Sequence, residues 1–313
     1  MSYLEVIRRN GRTYYYATKN FRVASSRWRK ARAFLGDRKP GRERLKEAYA
    51  ELEKRAVEMG YRPPPLTPFR YLDETEAEKL EDVRDAYKKW YGKLGPDERE
   101  KYQSDFLVRF TYNTNAIEGN RLSLRETAMI LNEGLIPSGT ETNDYTEALN
   151  SRDAVAAMAA HRRGLSQRFL FRLHREVTKN TRCQKVGAYR DTGVRISGSD
   201  WVPPSARELP GLMKKLFVWY RNHRSSFHPV ELGALLHARL VQHHPFTDGN
   251  GRVARLVMNW VLLRGGYPTF YIENRDKLNY YKALEEADRG NPGAFVKYVA
   301  ARIVEQFTFH PEG

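Results

Sequence analysis

The stretch His244-Pro245-Phe246-Thr247-Asp248-Gly249-Asn250-Gly251-Arg252-Val253-Ala254-Arg255 decides how the rest of the chain is read. A helix-patterned apolar run ends at its histidine, and another begins at its second glycine. Gly249 and Gly251 let backbone N–H groups approach an anion closely, and the start of a helix adds a favourable dipole, so the turn reads as a phosphate cradle. Asn250 lies between them, its backbone part of the same cradle. Arg252 and Arg255 lie three residues apart, on one face of the new helix's first turn, as planar forks suited to phosphate. Asp248 is a hard oxygen ligand beside the cradle, of the kind that Mg2+ takes together with substrate phosphates. His244 supplies a base whose ordinary pKa lies near neutrality.

Any one of these features alone would read as an ordinary turn or a structural histidine. Together they bring a base, a carboxylate, a glycine cradle and two spaced arginines into twelve residues. The neighbouring His237 and His243 have no Glu or Cys at ligand spacing, so they read as structural rather than as a zinc site. The Gly-Lys-Ser/Thr phosphate loop of common ATPases is absent.

The stretch resembles the Fic family signature, His-x-Phe-x-Asp/Glu-Gly-Asn-Gly-Arg-x-x-Arg, at every fixed position. The likeness extends over roughly 105–305 and takes in Gly187-Ala188-Tyr189-Arg190, Val194, Ile196 and Pro203-Pro204, which look like the family's target-positioning flap. The resemblance implies a mainly α fold, a Fic-type helical core with one small β-hairpin flap. It implies a protein adenylyltransferase that moves AMP from ATP to a Ser, Thr or Tyr hydroxyl of a protein target, with self-modification expected. His244 would take the hydroxyl proton, Asp248 would hold Mg2+, and Gly249, Asn250 and Gly251 would cradle phosphate oxygens with backbone amides, Asn250 adding its side chain. Arg252 and Arg255 would bind the β- and γ-phosphates, and Phe246 falls inside this nucleotide-binding stretch with its ring read as core. Asn259, Tyr280 and Tyr281 are candidates for the adenosine side, with core packing as the other reading of the tyrosines. Flap residues Val194, Arg195, Ile196 and Ser197 would add a strand to the target. Related Doc proteins carry Lys where this chain has Gly251 and phosphorylate instead, so Gly251 favours AMP transfer. The motif leaves UMP and phosphocholine as alternative transferred groups.

A second motif, Thr114-Asn115-Ala116-Ile117-Glu118-Gly119, is similar to the family's inhibitory pattern, Ser/Thr-x-x-x-Glu-Gly/Asn. It implies an inhibitory helix near 111–119 that precedes the core, with Glu118 and Thr114 as regulatory residues. A carboxylate at 118 is expected to pair in bidentate fashion with Arg255 and so deny it to the γ-phosphate. The same carboxylate could place a water and remove AMP again. Members with this inhibitor placement often form dimers, so a homodimer is an expectation by resemblance only.

Outward from the motifs the chain reads as helices: Thr75–Leu94 with Thr75 and Glu78 forming a capping box, then 97–113, 124–132, 145–163 and 168–179. Gly187 to Pro204 alternates Tyr189, Val194, Ile196 and Trp201 among Gly and Pro, which suits a β-hairpin. Helices resume at Leu209–His223, Pro229–His243, Gly251–Arg264, Lys277–Ala287 and Pro292–Phe307.

The N-terminal region is different. Tyr3 to Ala17 reads as a hairpin turning at Asn10-Gly11, 20–24 as a third strand, Ser25–Leu35 as a short basic helix and 42–59 as an amphipathic one. Pro63-Pro64-Pro65 marks a boundary. The expected organisation is therefore a basic hairpin-and-helix region at 1–63, a helical connection at 64–104 and the Fic domain at 105–308, with no room for a further domain after it. Residues 1–63 hold 17 Lys/Arg against 7 Asp/Glu, a large share of the net charge of +16. Three readings of that region stay open: binding nucleic acid through basic and aromatic side chains such as Tyr14, Tyr15, Tyr16 and Arg27-Trp28-Arg29, pairing with another chain, or packing on the core. The non-enzyme alternative for the whole chain is a DNA- or protein-binding regulator built on a weakly active core.

Composition sets the outer limits. At 41% hydrophobic and 12% aromatic, the 313 residues can bury a core. No apolar run reaches the roughly 18 residues that span a bilayer. Arg8, Arg9 and Arg12 interrupt any signal-peptide core, so no membrane partner is expected and the expected place is the cytoplasm. The single Cys183 forms neither an internal disulfide nor a Cys-rich metal site.

Overall fold

A computed structural model describes residues 2–9, 11–22, 28–58, 69–196 and 198–308. The chain divides into two compact units, Met1–Pro68 and Phe69–Gly313.

In the first unit, β1 (Ser2–Arg9), β2 (Arg12–Arg22) and β3 (Trp28–Gly36) form an antiparallel sheet in that order. The β1–β2 pairing runs from Arg9↔Arg12 to Ser2↔Lys19, with Gly11 at φ +74°, as a tight turn with positive φ requires. The expected basic helix Ser25–Leu35 is a strand over its described part, and the expected strand at 20–24 is, as far as Arg22, the end of β2. The physical reason is non-local: Ala17 faces Ala33 and Lys19 faces Ala31 across the β2–β3 ladder. These small residues on one face admit α1 (Arg42–Glu58), whose Ala48, Leu52 and Ala56 bury against Ala17 and Ala31. A lone basic segment is free to be helical, but here ladder hydrogen bonds and this burial decide.

The second unit is helical. Its core is α9 (Asn250–Arg264), buried almost all round, as a helix inside a bundle must be. Around it pack α8 (Pro229–His243), α5 (Thr142–Ala160) and α6 (Gln167–Thr178). The remaining helices are α2 (Glu74–Lys93), α3 (Pro96–Ile117), α4 (Leu124–Ala128, continued by a π turn to Glu133), α7 (Leu209–His223), α10 (Lys277–Asp288) and α11 (Pro292–Thr308). Proline opens α3, α8 and α11, where its missing N–H costs nothing.

Two helix starts differ from expectation. α2 is capped by Asp73 rather than Thr75: Asp73 accepts from Glu76 N at 2.8 Å while Glu76 accepts from Asp73 N at 2.9 Å. Two overlapping boxes, Asp-x-x-Glu and Thr-x-x-Glu, compete, and the carboxylate of the earlier one takes the cap. α3 runs unbroken to Ile117, so the inhibitory motif is the last turn of a long helix rather than a separate element. The segment entering α2 is fastened by the buried Glu231 of α8, which accepts backbone N–H bonds from Arg70, Tyr71 and Leu72 at 2.8–3.2 Å.

The expected β-hairpin at 187–204 is not formed: no strand is assigned among its described residues. Val194 and Ile196 are half-buried and Arg195 exposed, so the side chains alternate as in a strand, but no ladder partner accompanies them. Ser197 lies outside the described residues.

Candidate active site

The site forms where α8 hands over to α9. His244 caps α8 at φ 45°, ψ 58°, a left-handed conformation that costs a side-chain-bearing residue energy. The following turn is closed by one side chain. Asn250 accepts from Phe246 N and donates to Phe246 O, both at 2.9 Å. That engages its amide in the turn itself, where it shapes the cradle. Phe246 is 1% exposed and stacks on His174 at 3.8 Å and 5°, so it supports the turn from inside instead of meeting a nucleotide.

His174, on α6, was not singled out by its sequence context. Its Nε2 lies 3.1 Å from the Asp248 carbonyl, while Nδ1 accepts from Gly187 N at 2.9 Å. Those two partners fix the tautomer: Nε2 carries the proton. Burial lowers its pKa to about 4, against the pull of the Asp248 carbonyl, so the ring is neutral near pH 7. Gly249 sits at φ +75°, and a Cβ there would meet Thr178 Cγ2 at 3.0 Å. Both its conformation and its closeness to α6 therefore require glycine.

His244 is a neutral base. Burial is the largest cause lowering its pKa, the Val241 carbonyl acts against that, and the Arg190 cation adds to it. Its Nδ1 is buried, and although the Val241 carbonyl favours the protonated ring, no partner meets that nitrogen in good hydrogen-bonding geometry.

Both arginines of the motif are buried, at 3% and 2% exposure, and both are occupied. Arg252 gives Nη1 to Glu147 at 2.9 Å and Nη2 to Asp248 at 3.1 Å, while its Nε has no partner among the described residues. Arg255 gives Nε to Thr114 Oγ1 at 2.7 Å and Nη1 to Tyr280 OH at 3.3 Å. Its Nη2 goes to the Thr114 carbonyl at 2.9 Å and to Glu118 Oε1 at 2.6 Å. The expected bidentate pair is thus single-pronged, because Thr114 and Tyr280 hold the other nitrogens. A side chain on Gly251 would collide with the Glu118 carboxylate and come within 3.0 Å of Arg255 Nη1, so the carboxylate lies directly over the cradle.

Glu147 and Asn120 are further residues that the sequence pattern did not flag. Asn120 Nδ2 donates to Glu147 Oε2 at 2.9 Å and to the Asp144 carbonyl at 3.1 Å. The turn carrying Glu118 is therefore linked through Glu147 to Arg252 as well as directly to Arg255.

The adenosine-side candidates fall elsewhere. Asn259 is buried, donating to the carbonyls of Arg255 and Phe270 and accepting from Phe270 N at 2.9 Å, so its amide braces the chain after α9. Tyr280 is buried, its hydroxyl lying between Arg255 and His237 Nε2, where it positions the arginine. Tyr281 alone remains partly open, at 37% exposure, with its hydroxyl 3.4 Å from the Ile117 carbonyl.

The flap is anchored to the base. Arg190, 2% exposed, gives Nε to the His244 carbonyl at 2.7 Å, Nη1 to that of Thr192 at 2.8 Å and Nη2 to that of Pro204 at 2.6 Å. Its own N–H meets the Pro245 carbonyl at 2.9 Å. Trp201 Nε1 adds a bond to the Gln242 carbonyl at 3.0 Å. Among the described residues no group of three or more metal-ligating side chains occurs. A cavity of about 790 Å³ between α2, α3 and α11, walled by Tyr87, Trp90, Tyr102 and Phe307, lies apart from this chemistry.

The Fic/DOC family profile matches residues 164–262. Over 233 residues the chain is 34% identical to the Protein adenylyltransferase Fic of Drosophila ananassae, covering 73% of this chain and 46% of that protein. Over 240 residues it is 31% identical to the protein of the same name from Nematostella vectensis, covering 75% and 55%. The chain thus spans about half the length of the curated relatives it matches. Among solved structures, a Fic-domain-containing signalling protein from Bacteroides thetaiotaomicron superposes with a TM-score of 0.66 at 31% identity, over 72% of this chain and 95% of that one. Fic-1 from C. elegans gives 0.65 at 25% identity, over 86% and 77%.

Proposed function

The chain belongs to the Fic/DOC family, and from that premise we propose that it transfers AMP from ATP to a Ser, Thr or Tyr hydroxyl of a protein, under restraint by Glu118. The names of its relatives support the transfer. The observation that carries the reading is the meeting of a neutral His244 with a glycine-opened helix start bearing two buried arginines, one of them gripped by Glu118 at 2.6 Å.

His244 Nδ1 faces inward, which leaves Nε2 to take the proton of the target hydroxyl. That oxygen attacks the α-phosphate, the bond to the β-phosphate breaks, and pyrophosphate leaves. Backbone N–H groups at the start of α9 and the side chains of Arg252 and Arg255 offset the phosphate charge. Asp248 suits Mg2+, a cation that takes one or two carboxylates and leaves its other positions to water and phosphate. Its side chain is 52% exposed at the rim of the turn. When bound, Mg2+ would neutralise charge on the phosphates.

Restraint is competition for Arg255. While Glu118 and Thr114 engage Nη2, the γ-phosphate lacks that donor and the α-phosphate settles out of line; a misplacement of about 1 Å costs on the order of 10²-fold in rate. Glu118 Oε2 has no partner among the described residues. That open oxygen favours a second activity, in which it places a water to release AMP from a modified target.

The test is intact mass after incubation with ATP and Mg2+. Glu118→Gly is expected to gain mass matching AMP about 10²-fold faster than the wild type, and Glu118→Gly/His244→Ala to gain none. A folded Glu118→Gly chain that labels neither itself nor any protein in a lysate would sink the reading. Release of AMP by the wild type, but not by Glu118→Gly, would establish the second activity.

A further inference from the structure

The sheet of the first unit has two faces, and α1 covers only one of them. Antiparallel pairing puts directly opposed residues on the same side. The pairs Arg9↔Arg12, Ile7↔Tyr14, Glu5↔Tyr16 and Tyr3↔Thr18 therefore share a face, joined from β3 by Phe34 opposite Tyr16, Arg32 opposite Thr18 and Lys30 opposite Asn20. The α1 side holds Ala17, Ala31 and Ala33, so this set is the outer face.

Its centre is aromatic. Phe34 is 58% exposed, and its ring lies 5.2 Å from Tyr16 and 6.2 Å from Tyr14. Tyr3, 37% exposed, lies under Lys30 Nζ at 5.8 Å. Cations stand at both ends: Arg9 and Arg12 beside the turn, and Lys30 and Arg32 towards the other edge. Glu5 is the single carboxylate on the face. It accepts from Lys30 at 2.9 Å and forms an ion pair with Arg32 Nε at 3.0 Å, which holds both side chains in place while leaving the terminal nitrogens of Arg32 without a partner among the described residues. Over residues 1–36 the chain carries nine Lys/Arg and one acid, Glu5. Arg12 to Asn20 spans about 26 Å at the rise of a strand, the length of a few nucleotides.

We propose that this outer face binds single-stranded nucleic acid, with unpaired bases stacking on Tyr14, Tyr16 and Phe34 and phosphates meeting Arg9, Arg12, Lys30 and Arg32. Charge complementarity selects a polyanion. The aromatic centre, Phe34 exposed and Tyr14 and Tyr16 half-buried beside it, selects one whose flat faces are free, which duplex bases are not. A purely acidic segment would use the cations but leave the rings without a stacking partner. The sheet, not the consecutive run Tyr14-Tyr15-Tyr16, defines the site: Tyr15 pairs with Val6 on the side facing α1 and takes no part.

The test is fluorescence anisotropy of the full chain with labelled oligo-dT and oligo-U of about twelve nucleotides, within the span of one binding fold, beside a duplex of equal length and an oligoglutamate peptide. Binding of the single strands in preference to duplex and peptide is expected. Tyr16→Ala/Phe34→Ala should weaken it about tenfold, and Tyr16→Leu/Phe34→Leu, which keeps apolar cover, should weaken it as well. Arg9→Ala/Arg12→Ala should also weaken it and lower the salt slope by about one to two between roughly 50 and 200 mM salt. Arg44→Ala/Arg55→Ala removes equal charge from α1 and should change little. Equal loss in that control, tighter duplex or peptide binding, no binding at low salt, or aromatic variants that melt normally and bind like the wild type would each overturn the proposal.

Discussion

Two irregular segments meet at the site, and they are held in opposite ways. The turn from His244 to Gly251 is braced from within: Asn250 closes it on Phe246, and Asp248 accepts from Gly249 N at 2.5 Å. The flap from Gly187 to Pro204 is held mainly at its ends, by His174, Arg190 and Trp201. A turn that must present a base and a cradle in one geometry needs its own internal bonds. A segment that would receive different targets is better anchored at its base, with no strand ladder among its described residues.

The sharpest way to break this contrast is to remove the flap's anchor. Arg190→Ala leaves the part-buried carbonyls of His244, Thr192 and Pro204 without this donor and empties a buried site, and a loss of about 3 kcal/mol is expected. For a helical unit of this size that lowers Tm by roughly 6–12 °C. Limited proteolysis should then cut first inside the flap, while Arg190→Lys, with one nitrogen for three carbonyls, should rescue little. Cleavage starting elsewhere would mean that Arg190 does not hold the flap.

His174 ties the two segments together, and its tie depends on pH. Unfolded, the ring takes a proton near pH 6.5; folded, it resists until about pH 4. Its stabilising contribution is therefore complete above about pH 6.5 and is lost as pH falls towards 4, by about 3 kcal/mol at most. The depressed His228, His237, His243 and His244 act in the same direction, so the measurement is a difference. Between about pH 7 and pH 4.5, Tm should fall less in His174→Gln than in the wild type. Parallel curves would remove His174 from the coupling.

The smallest expected effect concerns the brace between α9 and the chain that follows it. Asn259→Ala should cost about 2 kcal/mol through the unpaired Phe270 backbone, while ATP affinity measured in a Glu118→Gly background stays within about threefold. A large affinity loss at unchanged Tm would return Asn259 to the nucleotide.

Most of the helical unit is legible because its signals are local. Leu209–His223 and Pro229–His243 coincide with the helices expected from apolar spacing and proline starts. What escapes is whatever depends on a distant partner. The segment from Trp28 is a strand because β2 lies beside it, and no window around it contains that fact. The alternation of Val194, Arg195 and Ile196 is met by alternating burial, but pairing is a separate requirement that the described residues of 187–204 do not meet. The motif residues at the centre of the site were readable from spacing and glycine chemistry. Glu147, His174 and Arg190 act through groups 105, 74 and 54 positions away, which no spacing rule reaches. Asn259 shares a helix with Arg252 and Arg255, and core packing is one of the two readings of Tyr280; in both, hydrogen bonds to distant groups give the side chain a structural use.

The left-handed backbone at His244 has a consequence for how this chain could change over time. Glycine would relax that position and still end α8, so the residue that the fold would most readily accept there is one that carries no base. Drift towards a sturdier molecule and drift towards an inert one run along the same path at this position, and only selection for chemistry keeps an imidazole in place.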